Sequence, residues 1–299
     1  MGDSKMRQIQ ISEYGAPDVL KLVEVSIPQP KTGELLIKVE AAGVNYADVL
    51  RRKNNYFMPT PLPYVLGTEA VGKISAVGKG IDSAAFQIGN TVLAILPSGG
   101  GYSEYVSAAD EFCVPLPPQI DAGEATAIFV QGSTAYLILH QVAGEIAGKS
   151  ILVHAAAGGV GSILVQLAKL GGAAKVIAAS SSDEKLAAAR SFGADAIVNY
   201  SNAGWTKKVI EANGGKKVDL ILEMVGGEIY TQSFECLEKG GSIIVYGAAS
   251  GEKGFVHSEH FVDESQTLLS FNLAYFIQNK MNLWQEALGA IIECQAPKP

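Results

Sequence analysis

A short run of glycine and alanine residues has the composition of a turn that holds a nucleotide pyrophosphate. Residues 156–161 read Ala-Ala-Gly-Gly-Val-Gly, shortly after the apolar residues 151–153 and before an apolar-periodic stretch that ends near Leu170. A turn of this kind brings backbone N–H groups and a helix N-terminus against phosphate oxygens. Gly158 would let the backbone approach the pyrophosphate, and Gly161 would let the helix and the strand pack closely. The pattern therefore predicts a dinucleotide-binding site.

The end of the second strand of this unit carries hydroxyl groups instead of a carboxylate. Many NAD sites have an Asp or Glu at that place, where it binds the ribose 2′-hydroxyl. Here the position is Ser180, followed by Ser181, and Lys185 comes shortly after. These side chains, with Tyr200 at the end of the third strand, could bind a 2′-phosphate, so the sequence favours NADP over NAD. The alternative is that Ser182 caps the next helix and Lys185 is a solvated surface charge.

Strand and helix patterns alternate through the middle of the chain. The apolar strand patterns are residues 151–154, 176–179, 196–200, 218–223 and 242–246. Such alternation predicts right-handed crossovers and a doubly wound parallel sheet covered on both faces. The first third instead has short β-branched runs separated by glycine and proline, which are typical of a small barrel-like β domain. Residues 268–276 fit either a strand or a helix, and residues 281–292 have a helical pattern.

Composition narrows the function classes. The 299 residues include 48% hydrophobic and 18% charged residues, enough apolar material for about two domains. The net charge of −7 argues against a nucleic-acid-binding surface. No apolar run is long enough for a membrane span, and we expect no secretory leader. The cysteines Cys113, Cys236 and Cys294 are widely spaced, which favours a reducing compartment, so we expect a cytoplasmic protein.

Several further motifs occur in a fixed order around the glycine turn. They are Ala41-Ala-Gly-Val-Asn45-Tyr-Ala-Asp48, Leu66-Gly-Thr-Glu69-Ala-Val-Gly72, Tyr102-Ser-Glu-Tyr105, Thr134-Ala-Tyr136, Glu223-Met-Val-Gly-Gly227 and Tyr246-Gly247. With them the chain resembles the medium-chain dehydrogenase/reductase superfamily, and within it the zinc-independent NADPH:quinone reductases of the zeta-crystallin-like branch. The resemblance implies an α/β protein with a doubly wound parallel Rossmann sheet inserted in a GroES-like, mainly β substrate domain.

The resemblance also implies domain limits and an assembly. We expect residues 1–123 to form the substrate and catalytic domain, residues 124–267 the NADP-binding domain, and residues 268–299 a segment that returns toward the substrate domain. Relatives continue past the position of Pro299 through a further helix and strand, so we expect either that this return segment is truncated or that this member completes its β domain differently. Relatives commonly pair through the edge of the nucleotide-binding sheet, and residues 268–276 are apolar enough for that contact. We therefore expect a homodimer.

The residue types at two positions bear on metal binding. The zinc alcohol dehydrogenases of the superfamily have Cys at the position of Asn45 and His at the position of Thr68. A catalytic zinc needs three protein ligands, which are usually Cys or His, and Asn and Thr replace them poorly. His257 and His260 are the one closely spaced histidine pair in the sequence, and we expect them to be solvated. We therefore predict a site without a metal ion.

The resemblance assigns candidate site residues. It implies polar and aromatic groups at Asn45, Asp48 and Tyr56 in the substrate cleft, where Asn45 and Tyr56 would donate to the developing negative charge of the acceptor. Asp48 has an equally weighted alternative role as a buried structural hydrogen-bonding group. The implied cofactor contacts are Thr134, Gly158, Gly159, Val160, Gly161, Ser180, Lys185, Tyr200, Val225 and Tyr246. Two residues depart from relatives, since Leu50 replaces a tyrosine of many bacterial members and Gln131 stands where a lysine can occur.

The expected activity is NADPH-dependent, metal-free hydride transfer to a quinone. A quinone accepts hydride readily, so orientation and hydrogen bonds can suffice without a Lewis acid. One alternative is the reduction of α,β-unsaturated carbonyls or enoyl thioesters, which uses the same hydride geometry. A second alternative is a non-enzymatic NADPH-binding structural protein. The expected partners are therefore a small-molecule quinone or electrophilic alkene, with no nucleic acid and no membrane.

Overall fold

The structure is a computed structural model that describes residues 4–82 and 84–295, with the side chain of residue 295 excepted. The chain divides into two compact units. The first unit contains the described residues up to Val130 and those from Ile292 onward, and the second contains Gln131–Ile291. Among the described residues, no helix is both long and apolar enough to cross a membrane.

The first unit is built mainly from strands. Its elements are β1 (Lys5–Ile11), β2 (Lys21–Ser26), β3 (Glu34–Ala42), α1 (Tyr46–Arg52), β4 (Tyr64–Val65), β5 (Glu69–Val77), β6 (Thr91–Ile95), β7 (Tyr105–Ala109), β8 (Cys113–Pro115) and α2 (Ala122–Ala125). Within the described residues, β7, β3, β5, β6 and β8 form one antiparallel sheet in that order, and β2, β1 and β4 form another. This mainly β arrangement agrees with the expectation of a GroES-like domain.

The apolar side chains of these strands form the core of the first unit. In β3, Leu35 and Ile37 are fully buried while Lys38 is exposed to solvent. They pack on Ala70 and Ile74 of β5, which pairs with β3 along its length. The short helix α1 follows β3; Asn45 is its N-cap, Asp48 lies in its first turn, and Tyr56 lies in the loop after it.

The second unit alternates strands and helices. Its elements are α3 (Ser133–Leu137), β9 (Ser150–Val153), α4 (Gly159–Leu170), β10 (Lys175–Ser180), α5 (Asp183–Ser191), β11 (Ala196–Asn199), α6 (Trp205–Ala212), β12 (Val218–Glu223), α7 (Gly227–Ser233), β13 (Leu237–Val245), α8 (Ser258–Glu264), β14 (Thr267–Ser270), α9 (Leu273–Asn279) and, as far as Ile291, α10 (Met281–Gln295). In the described part of the chain, six of its strands form a parallel sheet in the order β11-β10-β9-β12-β13-β14. The strand order is that of a Rossmann fold, so the predicted fold class is confirmed.

The strands of the parallel sheet are apolar because helices cover them on both faces. Ile151, Leu152 and Val153 of β9 have no exposed surface, as expected for a central parallel strand. Since β9 and β12 are neighbours, the chain order reverses between them, and their carboxyl ends lie side by side. Open α/β sheets bind ligands at such a point.

Three details differ from the expectations. Residues 268–276 contain both elements, since β14 ends at Ser270 and the side chain of Asn272 caps the start of α9. The strand expected at residues 242–246 begins earlier, at Leu237, and α7 ends before it at Ser233. The division between the units falls after Val130 and again after Ile291, whereas we expected limits at 123 and 267. The second unit extends past residue 267 because β14 pairs with β13 and continues the parallel sheet.

Candidate functional site

The glycine turn of the second unit joins β9 to α4 and requires small residues. The backbone N–H of Gly158 donates to the carbonyl oxygen of Ala155 over 2.8 Å, and Ala155 has a positive φ of 47°. A Cβ at Gly161 would overlap the carbonyl oxygen of Ala155, and one at Gly159 would lie 2.5 Å from the side-chain amide of Gln131. The first N–H groups of a helix have no partner within it, so the start of α4 can bind phosphate oxygens. This close-packed turn fits a dinucleotide.

The end of β10 brings together several of the predicted phosphate-binding residues. The Nζ of Lys185 lies 3.3 Å from the Oγ of Ser181, and the backbone N–H of Tyr200 donates to the carbonyl of Ser180 over 3.0 Å. Ser180 itself is buried, whereas Lys185 is exposed. The side chain of Ser182 accepts from the backbone N–H of Lys185 over 3.4 Å and caps α5. Ser182 therefore caps α5, as in the alternative interpretation. Lys185 and Ser181 lie close enough together to bind one phosphate.

Val225 and Tyr246 lie at the carboxyl edge of the same sheet, beside a buried carboxylate that the sequence analysis did not assign. The Oε1 of Glu223 accepts from the backbone N–H of Val225 over 2.6 Å and from that of Gly226 over 2.9 Å. The backbone N–H of Tyr246 donates to the carbonyl of Glu223 over 2.9 Å. Burial, and after it the charge of Glu223, raises the pKa of the Tyr246 hydroxyl. Glu223 therefore holds the loop that carries Val225.

His154 is the second residue that sequence reasoning missed at this edge. Its Nδ1 lies 3.6 Å from the Oε1 of Glu223, and neither side chain has exposed surface. Among the described residues, both ring nitrogens of His154, the Oε2 of Glu223 and the hydroxyl of Tyr246 have no hydrogen-bond partner. Their positions in the sequence could have indicated this contact, because His154 follows β9 and Glu223 ends the neighbouring strand β12.

In the first unit, Asp48 is a buried acceptor for donors from three parts of the chain. Its Oδ2 accepts from the backbone N–H of Asn45 over 2.9 Å and from the hydroxyl of Tyr102 over 3.1 Å. Its Oδ1 accepts from the backbone N–H of Gly67 over 3.0 Å. Burial and the charge of Asp48 raise the pKa of the Tyr102 hydroxyl. These contacts favour the structural role for Asp48.

Asn45 is fixed by Glu69, a buried carboxyl group in the motif Leu66-Gly-Thr-Glu69-Ala-Val-Gly72 that sequence reasoning missed as a site residue. The Nδ2 of Asn45 donates to the Oε1 of Glu69 over 2.7 Å, and the backbone N–H of Val130 donates to the Oε2 over 3.1 Å. A Cβ at Gly43 would overlap the Glu69 carboxylate, so the backbone seals this group on one side. Burial, opposed by these two hydrogen bonds and assisted by the charge of Asp48, raises the pKa of Glu69 to about 7.

Tyr56 is half-buried in the loop after α1. Its ring packs beneath the guanidinium of Arg51, whose Cζ lies 4.2 Å from the ring centroid, and against Phe57 at a centroid distance of 4.4 Å. Phe57 and Met58 are exposed apolar side chains beside it. Asn45, Asp48 and Tyr56 thus belong to the first unit.

The remaining predicted residues belong to the second unit, where Thr134 is buried in α3. Within residues 4–82 and 84–295, no group of three or more His, Cys, Asp or Glu side chains could hold a metal ion. His260, expected to be solvated, is partly buried, and its Nε2 lies 2.7 Å from the Oε1 of Gln266. That expectation was therefore wrong for His260, because the chain after α8 turns back over it, while His257 is exposed.

Parts of both units match known protein families. Residues 31–118 match the family described as alcohol dehydrogenase GroES-like domain, and residues 159–291 match the family described as zinc-binding dehydrogenase. The quinone oxidoreductase of Rattus norvegicus is 36% identical over 247 residues, which cover 82% of this chain and 74% of that protein.

Two solved structures share the fold over nearly the whole chain. Escherichia coli quinone oxidoreductase complexed with NADPH superposes with a TM-score of 0.87 and 30% identity, covering 96% of this chain and 87% of that one. The quinone oxidoreductase of Thermus thermophilus, solved with and without NADPH, has a TM-score of 0.79 and 32% identity, covering 95% of this chain and 86% of that one. The chain therefore belongs to the quinone oxidoreductase family of the medium-chain dehydrogenase/reductase superfamily.

Proposed function

We propose that this protein is an NADPH:quinone oxidoreductase that transfers hydride without a metal ion. The observation that carries the proposal is the pairing of the close-packed glycine turn with the Ser181–Lys185 group at the end of β10. The first suits a pyrophosphate and the second a 2′-phosphate, and relatives of known structure are quinone oxidoreductases solved with NADPH. Reduced nicotinamide would supply the hydride.

Residues of the second unit would bind the nucleotide. The backbone of Gly158, Gly159, Val160 and Gly161 would hold the pyrophosphate at the start of α4. Ser181 and Lys185 would bind the 2′-phosphate, beside Ser180 and Tyr200, because a cation and hydroxyl donors stabilise a dianion and the site has no carboxylate in its place. Thr134, Val225 and Tyr246 remain proposed contacts, and the loop of Val225 is supported by its hydrogen bonds to Glu223.

Residues of the first unit would act on the acceptor. Hydride addition places negative charge on the acceptor oxygen, and donors that are fixed before reaction stabilise such charge most. We assign this role to Asn45, whose amide Glu69 orients, and to Tyr56. A metal ion is not required for so strong an acceptor, and the amide of Asn45 and the hydroxyl of Thr68 are poor zinc ligands.

Steady-state oxidation of NADPH tests the proposal. A panel of substituted benzoquinones is compared with alkenals and enoyl thioesters at equal concentrations. We expect kcat/KM to be highest for a benzoquinone. A preference for an alkene by about tenfold, equivalent to about 1.4 kcal/mol, would favour the alkene reductase instead. Tight binding of NADPH with no turnover of any acceptor would favour the non-enzymatic alternative.

The proposal includes an assembly and a compartment. We propose a homodimer that pairs through β14, because this strand lies at the edge of the parallel sheet and its Leu268 is 46% exposed. We also propose the cytoplasm as the compartment, since Cys113, Cys236 and Cys294 are free thiols.

A further inference from the structure

Arg51 is a buried cation for which the described chain offers no acidic partner. Its side chain is 4% exposed, yet none of the ion pairs among residues 4–82 and 84–295 involves it. Its Nη1 donates to the Oγ1 of Thr60 at 3.4 Å, and its Nε has no partner in the described chain. Asp48, one helical turn earlier, accepts from Asn45, Gly67 and Tyr102. Burying a charge is costly unless other groups compensate it.

Two tyrosines supply that compensation. The Cζ of Arg51 lies 4.2 Å from the ring centroid of Tyr56 and 5.6 Å from that of Tyr64. Tyr64 is buried on β4, and Tyr56 is half-buried in the loop that follows α1. A guanidinium over an aromatic face is attracted by the negative charge of the π-system, most strongly when water is excluded. We call these three side chains the Arg51 stack.

The stack acts on the hydroxyl of Tyr56 as well as on its ring. Burial raises the pKa of the Tyr56 phenol above its ordinary value. Charge and hydrogen bonding from Arg51 oppose that rise, and the charge of Asp48 adds to it. A nearby cation favours the anionic form of a phenol and makes its O–H a stronger hydrogen-bond donor. Without Arg51, nothing would oppose the rise in the Tyr56 pKa that burial and the charge of Asp48 cause.

We propose that Arg51 is a positioning residue that holds the Tyr56 ring and strengthens its hydroxyl as a donor to the reduced acceptor. This inference rests on the proposed function. Hydride brings two electrons and one hydrogen to the acceptor, whose oxygen becomes anionic. Tyr56 donates a hydrogen bond to that oxygen and keeps its proton, and the proton that completes the reduction comes from solvent. Arg51 does not contact the acceptor.

The first test measures the phenol directly. 3-Chlorotyrosine, which ionises at lower pH than tyrosine, is placed at position 56, and its phenolate absorbance is titrated in the folded protein. Arg51→Met should raise the phenol pKa by about one unit, because it removes an opposite charge within contact distance. Lys53→Met removes a charge from the exposed end of the same helix and should leave the phenol pKa unchanged. An equal phenol pKa in Arg51→Met and the parent would overturn the inference.

The second test measures turnover. Arg51→Met and Tyr56→Phe should each lower kcat/KM for a benzoquinone about tenfold, and the double variant should lose no more, because both remove one interaction. If the loss of kcat/KM in the double variant equals the product of the two single losses, the inference is overturned. Arg51→Lys keeps the charge without the planar stack, so it should retain the phenol pKa of the parent with an intermediate kcat/KM. This variant replaces Arg51→Met if Arg51→Met does not fold. A parent protein that binds NADPH but reduces no benzoquinone contradicts the proposed function, while the phenol titration still decides the action of Arg51 on Tyr56.

Discussion

The side-chain amide of Asn45 donates to the carboxylate of Glu69 across 2.7 Å, with both side chains buried. This hydrogen bond fixes which way the amide faces, so the candidate donor is oriented before any acceptor binds. It also places a titratable group in contact with the candidate site. The second oxygen of Glu69 accepts from the backbone N–H of Val130, so protonation of the carboxylate must weaken one of the two hydrogen bonds.

Glu69 should make the stability of the protein depend on pH. Its pKa is about 7 in the folded chain against 4.5 for an ordinary glutamate, because burial and Asp48 disfavour the charge. The raised pKa contributes stability that is complete below the unfolded value and is lost as pH rises through the folded value. We therefore expect the free energy of unfolding to fall by about 3 kcal/mol from this group between roughly pH 4.5 and 7.

Urea unfolding at pH 5 and pH 8 measures this effect as a difference between variants. Glu69→Gln cannot titrate, so it should gain stability relative to the parent as pH rises. Glu40→Gln, at an exposed position of β3, should follow the parent at both pH values. A constant difference between Glu69→Gln and the parent would contradict a folded pKa near 7.

Lys185 should decide the preference for NADPH. Lys185→Ala removes the cation beside Ser181, so the Kd for NADPH should rise about tenfold or more while that for NADH changes little. Isothermal titration with each nucleotide measures both values. Lys207→Ala, on the exposed face of α6, is the matched control and should alter neither. Equal weakening of both nucleotides would show that Lys185 does not bind the phosphate.

Gly161 should tolerate no side chain. Its Cβ would overlap the carbonyl oxygen of Ala155, so Gly161→Ala must shift the turn and should lower the free energy of unfolding by about 1 to 3 kcal/mol. NADPH binding should weaken with it. In α10, Gly289 has open space around it, and Gly289→Ala should instead stabilise the helix by about 0.5 to 1 kcal/mol. Chemical denaturation and NADPH titration of both variants check this contrast.

Asp48 should prove structural. Asp48→Asn replaces one acceptor oxygen with an NH₂ group that faces a donor, so it should destabilise the protein by about 2 to 3 kcal/mol. Tyr102→Phe removes only one donor and should cost about 1 kcal/mol. If Asp48→Asn unfolds like the parent but has lost turnover, the structural role is contradicted and Asp48 is catalytic.

The edge strand β14 should carry the dimer contact. Leu268→Lys places a charge on the exposed edge, so the mass from light scattering should change from that of a dimer to that of a monomer. Leu170 is an exposed apolar residue at the end of α4, and Leu170→Lys should leave the dimer intact. A monomeric parent protein would refute the proposed assembly.

The sequence by itself determined the parallel sheet, the glycine turn and the hydroxyl residues at the end of β10. These features depend on short-range patterns: buried parallel strands read as apolar runs, and a tight strand-to-helix turn admits only small residues, as at Gly161. The cap of α5 by Ser182 is local in the same way.

Only the tertiary structure decided which polar groups meet. Asn45 and Glu69 are 24 residues apart, and Asp48 and Tyr102 are 54 apart, so their contacts depend on how strands and loops pack. The place of His154 beside Glu223 depends likewise on the pairing of β9 with β12. The stacking of Arg51 on Tyr56 depends on the path of the loop after α1. The free energy of such contacts is set by burial, a property of the folded chain that no local pattern of residues contains.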